Sequence, residues 1–294
     1  MNSKITENFS RTAIEDGFNI VHYKVKEQHL EKIWIRFEKA GFEPILIKGW
    51  AAAQVYPEPF QRQFTDIDLL IAPSRFDEAL KFLETAKQEF PVDLHKGARH
   101  LDSVGFENLF ANSRIIKCGA ANIRVLRPED HLRVLCIHWL NDGGTDRERL
   151  WDIYYAIANR PKDFDWQRCL EIVSPERRRW IVCAIGLAHK YLGLNIENTP
   201  FASEAKTIPE WLIKAVENEW RSDVRLTDLR FVLRNRRELF KQIKKRMSPP
   251  NPIQATIELE GDFDDTPRFT YQIRNFFVRL KTLIKKIGKN LSKS

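Results

Sequence analysis

The chain has 294 residues, of which 43% are hydrophobic and 30% are charged. This length and composition exclude the disordered and fibrous classes and favour two globular domains. The formal net charge of +8 comes from residues 266–294, which carry eight basic residues and no acid. Without that segment, 40 basic and 40 acidic residues remain. The charge therefore indicates a basic tail rather than a nucleic-acid-binding surface spread over the fold.

Neither an export signal nor a membrane span is visible in the sequence. Residues 1–30 carry charges throughout, and no apolar run reaches the length of about 18 residues that a spanning helix needs. The cysteines are widely spaced and include no C-x-x-C pair, which argues against a disulfide framework and a zinc knuckle. We therefore expect a cytoplasmic protein whose cysteines are buried apolar side chains.

The first part of the chain, residues 1–126, predicts an α/β domain with an N-terminal helix. Apolar residues at helical spacing predict a helix over Lys24–Lys39, which Gly41 ends, and the run Pro44–Ile47 suits a buried strand. The same reasoning predicts helices over Trp50–Tyr56, Arg75–Glu89 and Ser103–Asn112, strands over Thr65–Ile71 and Pro91–His95, and a hairpin of Arg114–Lys117 with Asn122–Leu126. This alternation of helices and strands is typical of an α/β fold.

From Arg127 onward the apolar spacing becomes helical. Helices are predicted from Pro128 and over Leu150–Ala158, Trp166–Val173 and Arg177–Leu192. We therefore predict a mainly α-helical domain over residues 127–247, a proline-rich and acidic linker over 248–265, and a basic amphipathic helix or tail over 266–294.

The tail places apolar residues largely on one side of a helix between Tyr271 and Leu291, with basic residues elsewhere. A helix of this kind can lie on an anionic membrane, bind RNA or pack against its own protein. We expect the first half to pack on the protein and the basic end to be solvated, in at most weak contact with anionic lipid or RNA.

Carboxylates recur on the predicted strands. Because side chains alternate along a strand, Asp66 and Asp68 project from one side while Ile67 and Leu69 project into the core. Carboxylates this close repel each other unless a cation lies between them or the strand end is solvated. Asp93, on the third predicted strand, can bring another carboxylate to the same cation. Oxygen ligands of this kind suit Mg²⁺ or Mn²⁺.

A Lys-Gly turn precedes these acids. Gly49 lies between a predicted strand and a predicted helix, where it allows close backbone approach and leaves N–H groups for phosphate oxygens. Lys48 and Arg62 are cations within reach. Phosphoryl-type transfer depends on positioning and charge neutralisation, which carboxylates around two metal ions supply. The expected catalytic and metal-binding residues are Asp66, Asp68 and Asp93, and the expected nucleotide-binding residues are Lys48, Gly49 and Arg62.

The sequence does not indicate a catalytic or metal-binding role for His95, His131 or His138. His95 shares a face with Asp93, so it either lines the site or pairs with a nearby carboxylate. His131 and His138 share a predicted helix face, but a zinc site would need a third ligand. Core or interface positions are the better interpretation of these two residues.

The motifs resemble an uncharacterised nucleotidyltransferase family of the DNA-polymerase-beta-like superfamily. The resemblance covers roughly residues 25–155 and rests on ILIKG at residues 45–49, YP at 56–57, Arg62, DIDLLI at 66–71 and VDLH at 92–95. It implies a mixed-sheet transferase domain in which Asp66 and Asp68 bind metal and Asp93 is a third acid. The usual Gly-Gly or Gly-Ser of the superfamily is replaced here by Gly49-Trp50.

The resemblance implies a Mg²⁺- or Mn²⁺-dependent enzyme that moves a nucleoside monophosphate from an NTP such as ATP to an unknown hydroxyl or phosphate acceptor. Two alternatives stay open. A transferase-like domain without turnover would serve as an antitoxin or assembly partner, which Gly49-Trp50 keeps possible. A metal-dependent glycosyltransferase would use Asp-x-Asp to bind a nucleotide-linked sugar, but it would not account for the Lys-Gly turn or for the third acid.

Overall fold

In the residues that the structure describes, the fold consists of helices and a mixed sheet. A computed structural model describes the backbone of residues 2–85, 90–222, 235–247 and 250–291, and the side chains of residues 16–85, 90–222, 235–242, 250–279 and 281. The strands are β1 (Ile45–Ile47), β2 (Ile67–Ile71), β3 (Val92–Lys96), β4 (Arg114–Cys118) and β5 (Ala121–Val125). In the described part of the chain, no helix is both long and apolar enough to cross a membrane.

Each helix predicted in the first two thirds of the chain has a counterpart in the structure, although several of the ends differ. They are α1 (Asn2–Lys39), α2 (Gly49–Ala53), α3 (Phe76–Thr85), α4 (Phe106–Ala111), α5 (Pro128–Asn141), α6 (Leu150–Ala158), α7 (Trp166–Leu170), α8 (Pro175–Leu192), α9 (Ala202–Lys206), α10 (Glu210–Arg221), α11 (Arg236–Met247), α12 (Pro252–Glu258) and α13 (Phe269–Leu291). Short 3₁₀ turns cover Pro59–Gln61 and Arg147–Arg149. The last part of the helix predicted over residues 75–89 lies outside the described residues.

The five strands are ordered β3-β2-β1-β5-β4. Strand β1 runs antiparallel to β2 and parallel to β5, while β2 and β3 are parallel. Strands β4 and β5 form the predicted antiparallel hairpin. The expected mixed-sheet α/β fold, followed by a helical region, is therefore confirmed.

Both faces of the sheet are covered. On one face Leu46 and Leu69 pack with Phe37 of α1, and on the other Leu70 packs in a cluster with Val134 of α5. Since successive strand residues point to opposite faces, a strand covered on both sides becomes a continuous apolar run. Strand β2 is such a run, and Asp68 is its one charged member. Asp68 is therefore a buried carboxylate, and the free-energy cost of burying its charge must be offset by an opposite charge or by hydrogen bonds.

Helix α1 begins much earlier than the sequence predicts. It starts at Asn2 rather than at Lys24, and it ends at Lys39, before Gly41 with a φ of 75°. Its early part exposes large apolar side chains such as Phe18 and Val21. The apolar periodicity that marks a helix with one buried face is weak there, so the prediction began too late. Residues 2–23 contain no proline, so no residue in this stretch lacks the backbone N–H group that a helix needs.

The chain divides into two compact units. One comprises residues 1–135 and 151–173 and contains the sheet, and the other comprises residues 136–150 and 174–294. In the second unit, Trp180 is buried and donates a hydrogen bond of 2.8 Å to the carbonyl of Gly261. Helix α12 lies within the segment predicted as a linker, where Asn251 accepts hydrogen bonds from the first backbone N–H groups of the helix. The predicted boundaries at residues 126, 247 and 265 stay a prediction.

Candidate functional site

Two carboxylates lie side by side on the parallel strands β2 and β3. Asp68 and Asp93 are register partners, and His95 follows Asp93 by two residues on the same face. One ligand atom from each of Asp68, Asp93 and His95 lies within 4.8 Å of the other two. This spacing allows all three side chains to bind a single cation.

Asp68 is neutralised by a buried lysine. The Nζ of Lys48 lies 2.6 Å from Oδ1 of Asp68, and the two side chains are only 8% and 5% exposed. Nε2 of His95 lies 3.0 Å from the same oxygen. Burial raises the pKa of Asp68, but the hydrogen bond from His95 and the charge of Lys48 outweigh it, so the pKa lies below its ordinary value. Asp68 is therefore an ionised carboxylate at neutral pH.

The turn that carries Lys48 has an unusual backbone. Lys48 has a φ of 55° and a ψ of −147°, and its backbone N–H donates a hydrogen bond of 3.2 Å to Nε2 of His131. Burial lowers the pKa of His131 to about 4, so its imidazole is neutral and can accept this bond. A positive φ is strained for a residue with a side chain and is kept only where the surroundings hold it. Helix α5, which carries His131, therefore fixes the turn.

Gly49 brings the turn against the segment that leads into β2. Its φ is 32°, and a Cβ at this position would lie 3.4 Å from the Cβ of Phe64 and 3.6 Å from the carbonyl oxygen of Asp66. These distances are ordinary van der Waals contacts, so glycine is favoured here by the positive φ and not by a lack of space. The Lys-Gly turn and the acids are adjacent in space, as the sequence predicts.

Strand β3 provides the exposed side of the cluster. The side chain of Asp93 is 62% exposed, whereas that of His95 is 11% exposed and lies 3.4 Å from Asp93. By formal charge, the carboxylates of Asp68 and Asp93 supply two negative charges against the one positive charge of Lys48. The remaining negative charge would attract a divalent cation from the solvent side.

The remaining predicted residues lie nearby in different roles. Asp66 is half-buried and directly precedes β2, outside the cluster of Asp68, Asp93 and His95. Arg62 forms a two-pronged ion pair with Asp152 of α6, with distances of 2.6 Å and 2.8 Å. Arg62 therefore ties the loop before β2 to α6.

The buried Asp152 also receives the Tyr56 hydroxyl in a hydrogen bond of 2.6 Å. This arrangement joins Tyr56 of the YP motif, Arg62 and Asp152 of α6, which are separate in the sequence. Burial together with the neighbouring charge of Asp152 raises the pKa of Tyr56 far above its ordinary value, so the hydroxyl keeps its proton. Several motif residues thus stabilise the loop around the site.

The ligand atoms of Asp68, Asp93 and His95 influence which metal ion the cluster would prefer. Carboxylate oxygens suit Mg²⁺ and Mn²⁺, while an imidazole nitrogen favours Mn²⁺ and later transition metals over Mg²⁺. Nε2 of His95 can either donate a hydrogen bond to Asp68 or bind an ion through its lone pair. Use of Nε2 as the ligand atom therefore requires its bond to Asp68 to break.

Sequence reasoning did not assign a role to His95 or His131. The position of His95 two residues after Asp93 was a visible signal, because both residues must lie on one face of a strand. The contact between His131 and the Lys48 backbone had no such signal, since these residues are 83 positions apart.

A protein-family model matches part of the chain. Residues 18–87 match the model of a family described as uncharacterised nucleotidyltransferases. An antigenic nucleotidyltransferase-like protein from Paracoccidioides brasiliensis aligns at 12% identity over 61% of this chain and 91% of its own, with a TM-score of 0.37. No curated protein matches the chain. The segment from α1 to α3 is thus similar in sequence to the uncharacterised nucleotidyltransferase family.

Proposed function

We propose that the sheet-containing unit is a metal-dependent nucleotidyltransferase that moves a nucleoside monophosphate from an NTP to a hydroxyl or phosphate acceptor. The observation that carries this proposal is the register pairing of Asp68 with Asp93 beside Lys48. The match of residues 18–87 to a nucleotidyltransferase family supports it. A pair of carboxylates on adjacent strands supplies the charge that a metal–triphosphate complex needs.

Each predicted residue has a place in this proposal. Asp68 and Asp93, with Asp66 at the entrance of β2, would hold Mg²⁺ or Mn²⁺, which when bound activates the acceptor hydroxyl and neutralises the leaving pyrophosphate. Lys48 and Gly49 would contact the triphosphate. For Arg62 we propose a positioning role, since its guanidinium already pairs with Asp152 through Nε and Nη2.

Incubation with each labelled NTP in Mg²⁺ or Mn²⁺ tests the proposal, with formation of a labelled product or of labelled protein as the readout. Asp93→Asn should lose this activity, since it removes a ligand charge while keeping the side-chain shape. Asp77→Asn is the matched control, because Asp77 is an exposed carboxylate on α3 that is not a member of the cluster. Labelled product that forms equally well with Asp93→Asn would refute the assignment of Asp93.

The Lys48–Asp68 pair favours one other function. Lys48 already supplies a positive charge to Asp68, so the site can be stable without an ion. A domain of this kind would bind nucleotide without turnover and act as an antitoxin or assembly partner. Isothermal titration with MgATP, run beside the labelling assay, separates the two functions: binding without product would support the second.

A further inference from the structure

Helix α13 attaches to its unit through polar side chains. The Gln272 amide donates to the carbonyl of Pro250 at 2.7 Å, and the Asn275 amide donates to Glu258 of α12 at 2.7 Å. Arg268, just before the helix, is buried and donates to the carbonyl of Asp262 at 2.8 Å. These donors recur at intervals of three to four residues, so they form one side of the helix.

The apolar side of the same helix faces outward. Phe269, Ile273, Phe276 and Phe277 are between 42% and 63% exposed. They follow one another at spacings of four, three and one residues, which places them on one helix face. We call these four residues the apolar stripe. Protein surfaces rarely leave such a contiguous apolar face uncovered unless it contacts a partner.

Basic residues accompany the apolar stripe. Arg274 and Lys281 are exposed on α13, and residues 266–294 contain eight basic residues and no acid. In the sequence, apolar residues continue at the same spacing to Leu291. An amphipathic helix with an aromatic apolar face and a basic polar face is the form that lies in the interface of an anionic bilayer.

We propose that α13 docks on a bilayer surface containing anionic lipids, with the apolar stripe in the interface and the basic residues near lipid phosphates. The charge pattern selects this partner over two others. A second copy of α13 would bring together two helices without acids, which repel each other. RNA would be bound by the basic residues, and such binding leaves the aliphatic Ile273 without a role.

Co-flotation of the full chain with vesicles tests this proposal. The vesicles contain phosphatidylcholine alone or phosphatidylcholine with phosphatidylserine. Wild-type protein should float with the anionic vesicles, and added salt should reduce the bound fraction. The double variant Phe276→Ser, Phe277→Ser should bind at least about tenfold more weakly, since it loses buried apolar area but no charge. Arg274→Gln with Lys281→Gln should weaken binding only to the anionic vesicles.

Ile115→Ser is the matched control, because Ile115 is a comparably exposed apolar residue on β4. It should bind vesicles as the wild type does. The proposal is overturned if the wild type fails to bind anionic vesicles, or if the Phe276→Ser, Phe277→Ser variant binds them equally well. Vesicle-independent self-association that this double variant abolishes, measured by sedimentation velocity, would instead assign the stripe to a second copy. Equal binding of single-stranded RNA by the wild type and this variant, without vesicle binding, would assign the basic residues to RNA.

Discussion

Replacement of Asp68 by asparagine is expected to lower the free energy of unfolding by about 3–5 kcal/mol, because it leaves a buried ammonium without its counter-charge. Nζ of Lys48 lies 2.6 Å from Oδ1 of Asp68, and neither side chain is more than 8% exposed. Water therefore screens the interaction little. Asp93→Asn changes a side chain that is 62% exposed, so its effect on stability should be below about 0.5 kcal/mol.

Urea denaturation followed by circular dichroism measures these differences. The double variant Lys48→Met, Asp68→Asn removes both charges, so it should be more stable than Asp68→Asn alone, with a coupling energy of at least about 1 kcal/mol. An Asp68→Asn variant that loses less than about 1 kcal/mol would refute the claim that the ammonium is left buried and unpaired. Additive effects of the two single changes would equally refute the coupling of Lys48 to Asp68.

Four further changes probe the surroundings of the site. As pH falls from about 6.5 to 4, His131 takes up a proton in the unfolded protein but not in the folded protein, so up to about 3 kcal/mol of stability should be lost. In urea titrations, His131→Gln should flatten this pH dependence, whereas a change at the exposed His22 should not. Gly49→Ala should cost about 1–2 kcal/mol because of its positive φ, and a stability equal to wild type would contradict the strained turn. Arg62→Lys should lose about 1–3 kcal/mol by breaking the two-pronged pair with Asp152, and unchanged stability with weaker NTP binding would show direct contact instead. His95→Gln should weaken Mn²⁺ binding by about 10–100-fold in electron paramagnetic resonance titrations, and unchanged affinity would remove His95 from the ligand set.

The elements that carry the acids could be predicted from local sequence. Alternation along Asp66-Ile67-Asp68-Leu69 placed Asp68 opposite the core-facing Ile67 and Leu69, and the same rule placed Asp93 and His95 together. Both placements depend on two-residue periodicity alone. The face to which each side chain of β2 and β3 points can therefore be predicted without knowing how the strands pair.

The partners of those acids required the register between strands. Lys48 reaches Asp68 because β1 and β2 are antiparallel, with Ile47 opposite Asp68. A shift of one residue would turn Asp68 to the other face of the sheet. Local patterns do not specify this register, so Lys48 was expected to contact phosphate and its buried pairing was not foreseen. The salt bridge between Arg62 and Asp152 could not be predicted either, because local patterns do not show which residues 90 positions apart meet in the fold.

The position of β3 explains why the two paired carboxylates differ. In the described sheet β3 is the edge strand and β2 lies one strand further in. The inner Asp68 is covered and held by Lys48 and His95, whereas the outer Asp93 faces solvent. A ligand arriving from solution therefore meets Asp93 first and must compete with Lys48 for Asp68. Under the proposed function, a metal–triphosphate complex should bind more tightly than a bare ion. Its phosphate oxygens can pair with the Lys48 ammonium when the metal replaces that ammonium beside Asp68. Nucleotide and metal should consequently bind with positive cooperativity, and this coupling should disappear in a Lys48→Met variant.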